Sequence, residues 1–335
     1  MDALSELLRA VKLSGAMFFI AECSKPWRVL SPPAATLGRY VAPDASHVIE
    51  FHLITDGSGY IRVGEERTPF AAGDLLMVPH GDEHEMGNGT GGALYDAAPD
   101  VAEQWNGGLC RSRIGGGGEE TRIVCGYLAC DAGLIKPVVA GLPRVVRVHL
   151  RNDPAGEWLE RSIHHAVLRV QEAAPGSDVI LARLAEVVFT EALQRYVMQL
   201  PAGRTGWLAG ASDATVGRSL AALHHRPGHP WTLDELAEEA GVSRSALTER
   251  FARYLGESPM AYLTDWRLEL GAEALRTSSR SVLQIASEVG YESEAAFNRA
   301  FKRKFGSPPA QYRRASRADR RAAESAGSGP RPVAM

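Results

Sequence analysis

A chain of 335 residues exceeds one typical domain and leaves room for two, each with its own core. Apolar residues make up 45% and charged residues 23%, the balance of an ordinary soluble globular protein. The formal net charge of −3 excludes a strongly basic packaging protein, although a whole-chain average hides local charge.

The first stretch, MDALSELLRAVKLSG, mixes acids and bases with apolar residues, and no apolar run long enough for a signal peptide or a membrane span follows. A cytoplasmic protein with no membrane partner is expected. Four cysteines, Cys23, Cys110, Cys125 and Cys130, are too few for a disulfide framework and read as core residues, metal ligands or redox sensors. From about residue 16 to 130 the pattern is β-like. AMFFI (16–20), VIEFHLIT (48–55), GYIRVG (59–64), DLLMVP (74–79) and TRIVCGYL (121–128) stand between turn clusters such as TDGSG and PFAAGD. Short strands this close together predict a sandwich or small barrel over 1–150, with 107–120 as a mobile loop.

Within that region GDLLMVPHGDEHEMGN (73–88) spaces Gly73, Pro79, Gly81, His84 and Asn88 as G-x5-P-x-G-x2-H-x3-N. This resembles the second sequence motif of the cupin barrels, and the resemblance implies a metal-ligand role for His84. The partner motif is half present. Glu50 and Gly57 fit its second half, while Asp44 and Ser46 occupy its two histidine positions. His52 lies two residues beyond Glu50, on the same side of a strand, and together with His84 it partly rebuilds a site for zinc or another divalent ion. The alternative is that His52 and His84 are buried, hydrogen-bonded histidines in a barrel without metal.

After residue 154 the period changes. EWLERSIHHAVLRVQEAA and SDVILARLAEVVFTEALQRYVMQL space their apolar residues three and four apart, which predicts two amphipathic helices over 155–173 and 178–200. They form a helical linker or homodimer region over 151–213, ending in PAGRTGWLAGASD.

The chain then repeats itself. LAEEAGVSRSALTERFARYLGESPMAYL (236–263) aligns with IASEVGYESEAAFNRAFKRKFGSPPAQY (285–312), and Ser243/Ser293, Phe251/Phe301, Gly256/Gly306, Pro259/Pro309 and Tyr262/Tyr312 all stand fifty residues apart. Each copy has a helix ending at a glycine, Gly241 or Gly290, then a helix capped by Ser243 or Ser293, which is a helix-turn-helix. The first recognition helix offers Arg244, Ser245, Thr248, Glu249 and Arg253, with Ala246, Leu247 and Phe251 toward the core. The second offers Ser293, Glu294, Asn298, Arg299, Lys302 and Arg303, with Phe297, Phe301 and Phe305 buried. From Arg299 to Arg321 there are nine Lys or Arg and one acid, Asp319, so phosphates are the expected counter-charge. Residues 315–335 read as a disordered basic tail.

Two such motifs joined by PMAYLTDWRLELGAEALRTSS resemble the DNA-binding domain of the AraC family of transcriptional regulators, over 214–314. The resemblance implies two recognition helices in successive major grooves of double-stranded promoter DNA, with RNA polymerase as a further partner. Ser293, Glu294 and Asn298 would then lie near bases or backbone, and Arg299 and Lys302 on phosphates. The whole chain resembles the cupin-bearing AraC-type regulators, a subgroup that includes a regulator responsive to reactive chlorine; that likeness implies oxidant sensing by Cys23 and Cys125. A Cys23–His52–His84–Cys125 zinc site is a variant of the same idea, and a small-molecule effector is a third. Cys110 and Cys130 have no matching role.

The expected fold is multidomain β plus α: an N-terminal cupin-like β-barrel, a helical linker and a C-terminal all-α double helix-turn-helix domain. The expected function is a transcription activator rather than an enzyme. The rival, a cupin metalloenzyme with an appended helical domain, requires the ligand histidines that Asp44 and Ser46 replace.

Overall fold

A computed structural model describes residues 2–43, 45–99, 109–172, 174–201 and 203–327. The chain divides into two compact units, one of residues 13–130 and 142–199, the other of residues 1–12, 131–141 and 200–335.

The first unit contains the β-rich region. Its strands are β1 (Ser14–Ser24), β2 (Trp27–Ser31), β3 (His47–Asp56), β4 (Ser58–Val63), β5 (Glu66–Ala71), β6 (Asp74–Val78), β7 (His84–Asn88), β8 (Leu94–Asp96), β9 (Cys110–Gly115), β10 (Glu120–Cys130) and β11 (Val146–His149). One sheet runs β11-β6-β3-β10-β1-β9, the other β5-β4-β7-β2-β8. The tight β3–β4 turn depends on Gly57, whose φ is +78° and where a Cβ would fall 2.3 Å from the Glu120 carbonyl oxygen. Alternate side chains of both sheets meet in one apolar core, with Phe19, Ala21 and Cys23 from β1, Trp27 from β2, Ile61 from β4, Met86 from β7 and Cys125 from β10. Each fully buried large side chain there contributes ~1.5–3 kcal/mol. Helix α2 (Ala34–Val41) packs beside β3.

Two expectations are corrected within this unit. Residues 110–115 of the expected mobile loop form β9, pairing in parallel with β1 from Phe19↔Cys110 to Ser24↔Gly115, while 107 and 108 lie outside the described residues. The helices expected as a linker belong to the barrel unit. They are α4 (Pro154–Gln171) and α5 (Ser177–Met198); α3, named below, precedes them in the chain. Helix α5 buries Leu181, Ala185, Val188, Phe189, Ala192 and Leu193, and it lies close on β1, where a Cβ at Gly15 would come 2.9 Å from the Cβ of Ala185.

The second unit is helical. It combines α1 (Ala3–Val11) and α3 (Ala132–Val139) with α6 (Trp207–Ser212), α7 (Ala214–His225), α8 (Leu233–Ala240), α9 (Arg244–Leu255), α10 (Pro259–Thr277), α11 (Val282–Glu288), α12 (Glu294–Phe305) and α13 (Pro309–Gly327). The boundary expected near residue 213 therefore differs from the observed one. Helix α1 is held by the buried Glu6, which pairs with Arg9 and accepts from His225 Nδ1 at 3.2 Å. Helix α3 is capped by Asp131, which also pairs with Arg276 of α10. The tail expected to be disordered is helical as far as Gly327, because Ala, Arg and Glu in ASRADRRAAESA are good helix formers. Its last part, 328–335, lies outside the described residues.

Candidate functional site

The repeat in the sequence becomes a repeat in structure. Helix α8 ends at Gly241 with φ +70°, and after α11 the chain turns at Gly290 with φ +88°. Ser243 and Ser293 then cap α9 and α12 by accepting from the backbone N–H of Ala246 and Ala296 at 3.3 and 3.2 Å. Both recognition helices stop at a left-handed glycine, Gly256 or Gly306. Phe251 packs edge-on to Tyr262 with ring centres 6.2 Å apart, and Phe301 packs on Tyr312 at 5.3 Å. The fifty-residue offset is thus two copies of one glycine turn, serine cap and aromatic lock.

The residues expected at DNA fall on the outer faces of these helices. Arg244, Ser245, Glu249 and Arg253 are exposed on α9, with Thr248 half-buried. On the second copy Ser293, Arg299, Lys302 and Arg303 are exposed, and Glu294 and Asn298 are half-buried. Leu247, Phe251, Phe297 and Phe301 are fully buried, while Ala246 and Phe305 are half-buried. Arg244 is held by Asp234 at 3.1 Å. Arg299, Lys302 and Arg303 share one helix face by their spacing and have no ion-pair partner among the described residues. Lys304, next in the run, is committed inward, with Nζ 3.0 Å from Glu269 Oε1. The sequence reading missed Arg267, which ties down the loop before the first helix-turn-helix by donating to Pro227 O at 2.7 Å and His229 O at 2.6 Å.

Inside the barrel, strand register assembles a second group. Cys125 stands directly opposite His52 between β10 and β3, and its Sγ lies 3.1 Å from His52 Nδ1. His52 Nε2 is 2.7 Å from His84 Nε2, and His84 Nδ1 is 3.0 Å from the Asp82 carbonyl oxygen. A carbonyl only accepts, so His84 carries its proton on Nδ1 and its Nε2 accepts. His52 therefore donates through Nε2, and its bare Nδ1 accepts the Cys125 thiol proton. Burial holds both imidazoles neutral, pushing His52 well below 6.5, with His84 adding to the shift, and lowering His84 to about 4.

Glu50 completes the group. Its Oε2 accepts from Ser31 Oγ at 3.1 Å, while its buried Oε1 has no partner, and burial pushes its carboxyl up to about 8. One ligand atom from each of Glu50, His52 and His84 lies within 4.8 Å of the others. His52 presents opposite ring nitrogens to His84 and to Cys125, so one ion cannot engage all three through it. Cys23 is paired with Thr121 and Cys125 with Phe19, four residues before Cys23 in β1. That offset is ~13 Å, beyond the ~7 Å between Cα atoms that a disulfide spans. Burial also pushes the Cys23 thiol up to about 12 and raises Cys125, which the proximity of Cys23 and Glu50 raises further. The structure thus gathers Glu50 with His52 and His84, places Cys125 behind His52, and leaves Cys23 in the apolar core. The adjoining cavity, bordered by Phe19, Trp27, Leu37, Met86 and His52, measures about 40 Å³, close to the ~30 Å³ share of one water molecule.

Among the described residues no helix is long and apolar enough to cross a membrane. Residues 2–198 match the cupin family and residues 236–315 a helix-turn-helix domain. The HTH-type transcriptional regulator AlkR of Acinetobacter baylyi is 29% identical over 94% of this chain and 100% of its own length. A putative AraC-like transcription regulator of Streptomyces antibioticus is 33% identical over 85% of this chain and 93% of its own. The RCS-specific HTH-type transcriptional activator RclR of Escherichia coli is 26% identical over 93% of this chain and 97% of its own. All three names denote regulators and none an enzyme, which sets aside the metalloenzyme alternative. With a cupin domain followed by two structurally repeated helix-turn-helix motifs, the chain belongs to the AraC-like transcriptional regulators.

Proposed function

We propose that this regulator is a cytoplasmic activator that binds double-stranded promoter DNA as a homodimer, contacts RNA polymerase, and takes its signal as a divalent metal ion, zinc foremost, at Glu50, His52 and His84. The observation that carries the signal reading is the buried, unpaired Oε1 of Glu50 beside two neutral imidazoles. Two nitrogens and a carboxylate oxygen are a donor set that suits zinc. The cavity beside them is too small for an organic effector without opening of the barrel.

Glu50, His52 and His84 would hold the ion, which would supply the positive charge that the His52 Nε2 proton now brings to His84; His52 would then keep its proton on Nδ1 and donate it to Cys125, so the thiol would change from donor to acceptor. Coupling to DNA requires that this state favour one arrangement of the molecule over another. Arg244, Ser245, Thr248, Glu249 and Arg253 of α9, with Ser293, Glu294, Asn298, Arg299, Lys302 and Arg303 of the second motif, form the DNA face.

Metal analysis of the purified full chain tests the signal. About one zinc per chain is expected, lost in Glu50→Gln and His84→Ala, with zinc altering promoter affinity. A chain that retains no zinc and binds promoter equally at any zinc concentration overturns the reading.

The 3.1 Å contact between Cys125 and His52 favours a second reading, in which the signal is an oxidant and Cys125 the reacting thiol. Cys23 then becomes its partner only after the strands shift. Thiol counts before and after hypochlorite, in Cys23→Ser and Cys125→Ser, distinguish the two; unchanged counts and promoter affinity remove the oxidant.

A further inference from the structure

The helical unit holds a cavity of about 450 Å³ that neither the DNA face nor the barrel group uses. Its aromatic walls are Trp207, Tyr254, Tyr262 and Trp266. Glu257, Asp265 and Glu269 bring carboxylates to it. Lys304 Nζ is shared between two of them, 3.4 Å from Asp265 and 3.0 Å from Glu269. Lys136 is exposed and carries its charge in solvent.

Two features of these walls are unsatisfied. Glu257 has no hydrogen-bond or ion-pair partner among the described residues. Burial, and then the charge of Asp265, push its carboxyl upward, with the Lys304 charge opposing them. Trp266 is only 3% exposed, yet its Nε1 proton has no acceptor. Aromatic side chains beside excess carboxylate form the environment that recognises an organic cation.

We propose that this cavity binds a monovalent organic cation with an aromatic body. The cationic head lies at Glu257 and Asp265, and the body lies against the aromatic walls. The cavity touches both recognition helices and the helix between them, since Tyr254 lies in the last turn of the first recognition helix, Asp265 and Glu269 lie on the joining helix, and Lys304 belongs to the second recognition helix. A bound cation competes with Lys304 for its two carboxylates and so loosens the tie between α12 and α10.

Calorimetry on the full chain without DNA tests the site independently of the regulator reading and of the barrel. The probe is benzoylcholine, with ethyl benzoate and benzoate as neutral and anionic controls. Saturable binding of benzoylcholine is expected, at least tenfold tighter than either control and weakened at least tenfold in Glu257→Gln. That substitution is isosteric at a half-buried, unpaired group, and an unchanged melting temperature confirms that its fold is intact. No binding of benzoylcholine, binding of a control as tight as the cation, or binding unchanged in Glu257→Gln overturns the site. On saturation, promoter affinity is expected to change at least threefold; unchanged affinity of the saturated protein overturns the coupling through Lys304.

Discussion

A buried imidazole, His224, stands at the centre of the helical unit. Trp207 Nε1 donates to the Tyr262 hydroxyl at 2.8 Å, and that hydroxyl donates to His224 Nε2 at 2.7 Å, with the Trp266 ring stacked on the imidazole at 4.3 Å. Burial depresses His224 from 6.5 to about 3. Between those values the unfolded chain holds a proton that the folded chain refuses, so stability is complete above pH 6.5 and falls as pH drops, by at most ~1.4 kcal/mol per pH unit. Melting at pH 5 and pH 7 measures this, and His224→Gln is expected to reduce the difference; a difference as large in the variant refutes the assignment. On the DNA face, Arg299→Ala and Lys302→Ala are each expected to weaken binding across sequences and to lower the salt slope by about one. Titrations from low to high salt check both. These cations were legible because spacing alone puts them on an outer face. The contact of Cys125 with His52 was not, because it depends on which residue of β10 meets which of β3, and nothing local to either strand fixes that register.

The two helix-turn-helix motifs share a pattern but differ in how their glycines are enclosed. Gly306 has φ +76° and nothing within 4 Å of an added Cβ, so Gly306→Ala carries only the backbone penalty of ~1 kcal/mol. At Gly290 the added Cβ falls 2.7 Å from the Arg267 guanidinium and 2.8 Å from the Gly228 carbonyl oxygen. Gly290→Ala is therefore expected to cost roughly 2–3 kcal/mol, since backbone strain and displacement of Arg267 add together. Denaturant titration of the two variants checks the order, and equal losses refute it. Elements with both a cap and a period, such as α4, α9 and α12, could be placed from the sequence almost to the residue, and α5, which has no side-chain cap, by its period alone. Strand β9 could not, because a glycine-rich, charged stretch is held there by pairing with β1 rather than by its own pattern. The extension of helix α13 past Arg314 was missed for the opposite reason: it has helix-forming residues but little apolar content to betray it.

The assembly expected of the whole chain rests on α5. Ile180, Val187 and Met198 are exposed, and their spacing of seven and eleven residues places them on one stripe, with Trp158 and Leu168 exposed on the adjoining α4. The double variant Val187→Glu, Met198→Glu is expected to be monomeric where the parent sediments as a dimer. A parent that sediments as a monomer with promoter bound removes the dimer. The order, a β-rich region before a helical repeat, could be read from the strand pattern and the fifty-residue repeat, whereas the change of period near residue 154 marks no boundary between the units. The assignment of α1 and α3 to the helical unit could not, since those short segments carry no signal of the distant helices they meet.

That assignment also bears on how the protein is made. Leu7 and Val11 of α1 and Leu134 and Val138 of α3 are buried within a unit whose remaining helices begin only after residue 200. Helix α1 must wait, its apolar face unsatisfied, while the barrel that follows it in the chain is synthesised. Contacts between segments this far apart in sequence close slowly. A fragment starting near residue 200 would keep both recognition helices yet lack two of its packing partners. Such a fragment is expected to be the more aggregation-prone form, and α1 and α3 supplied as separate peptides are expected to restore its solubility.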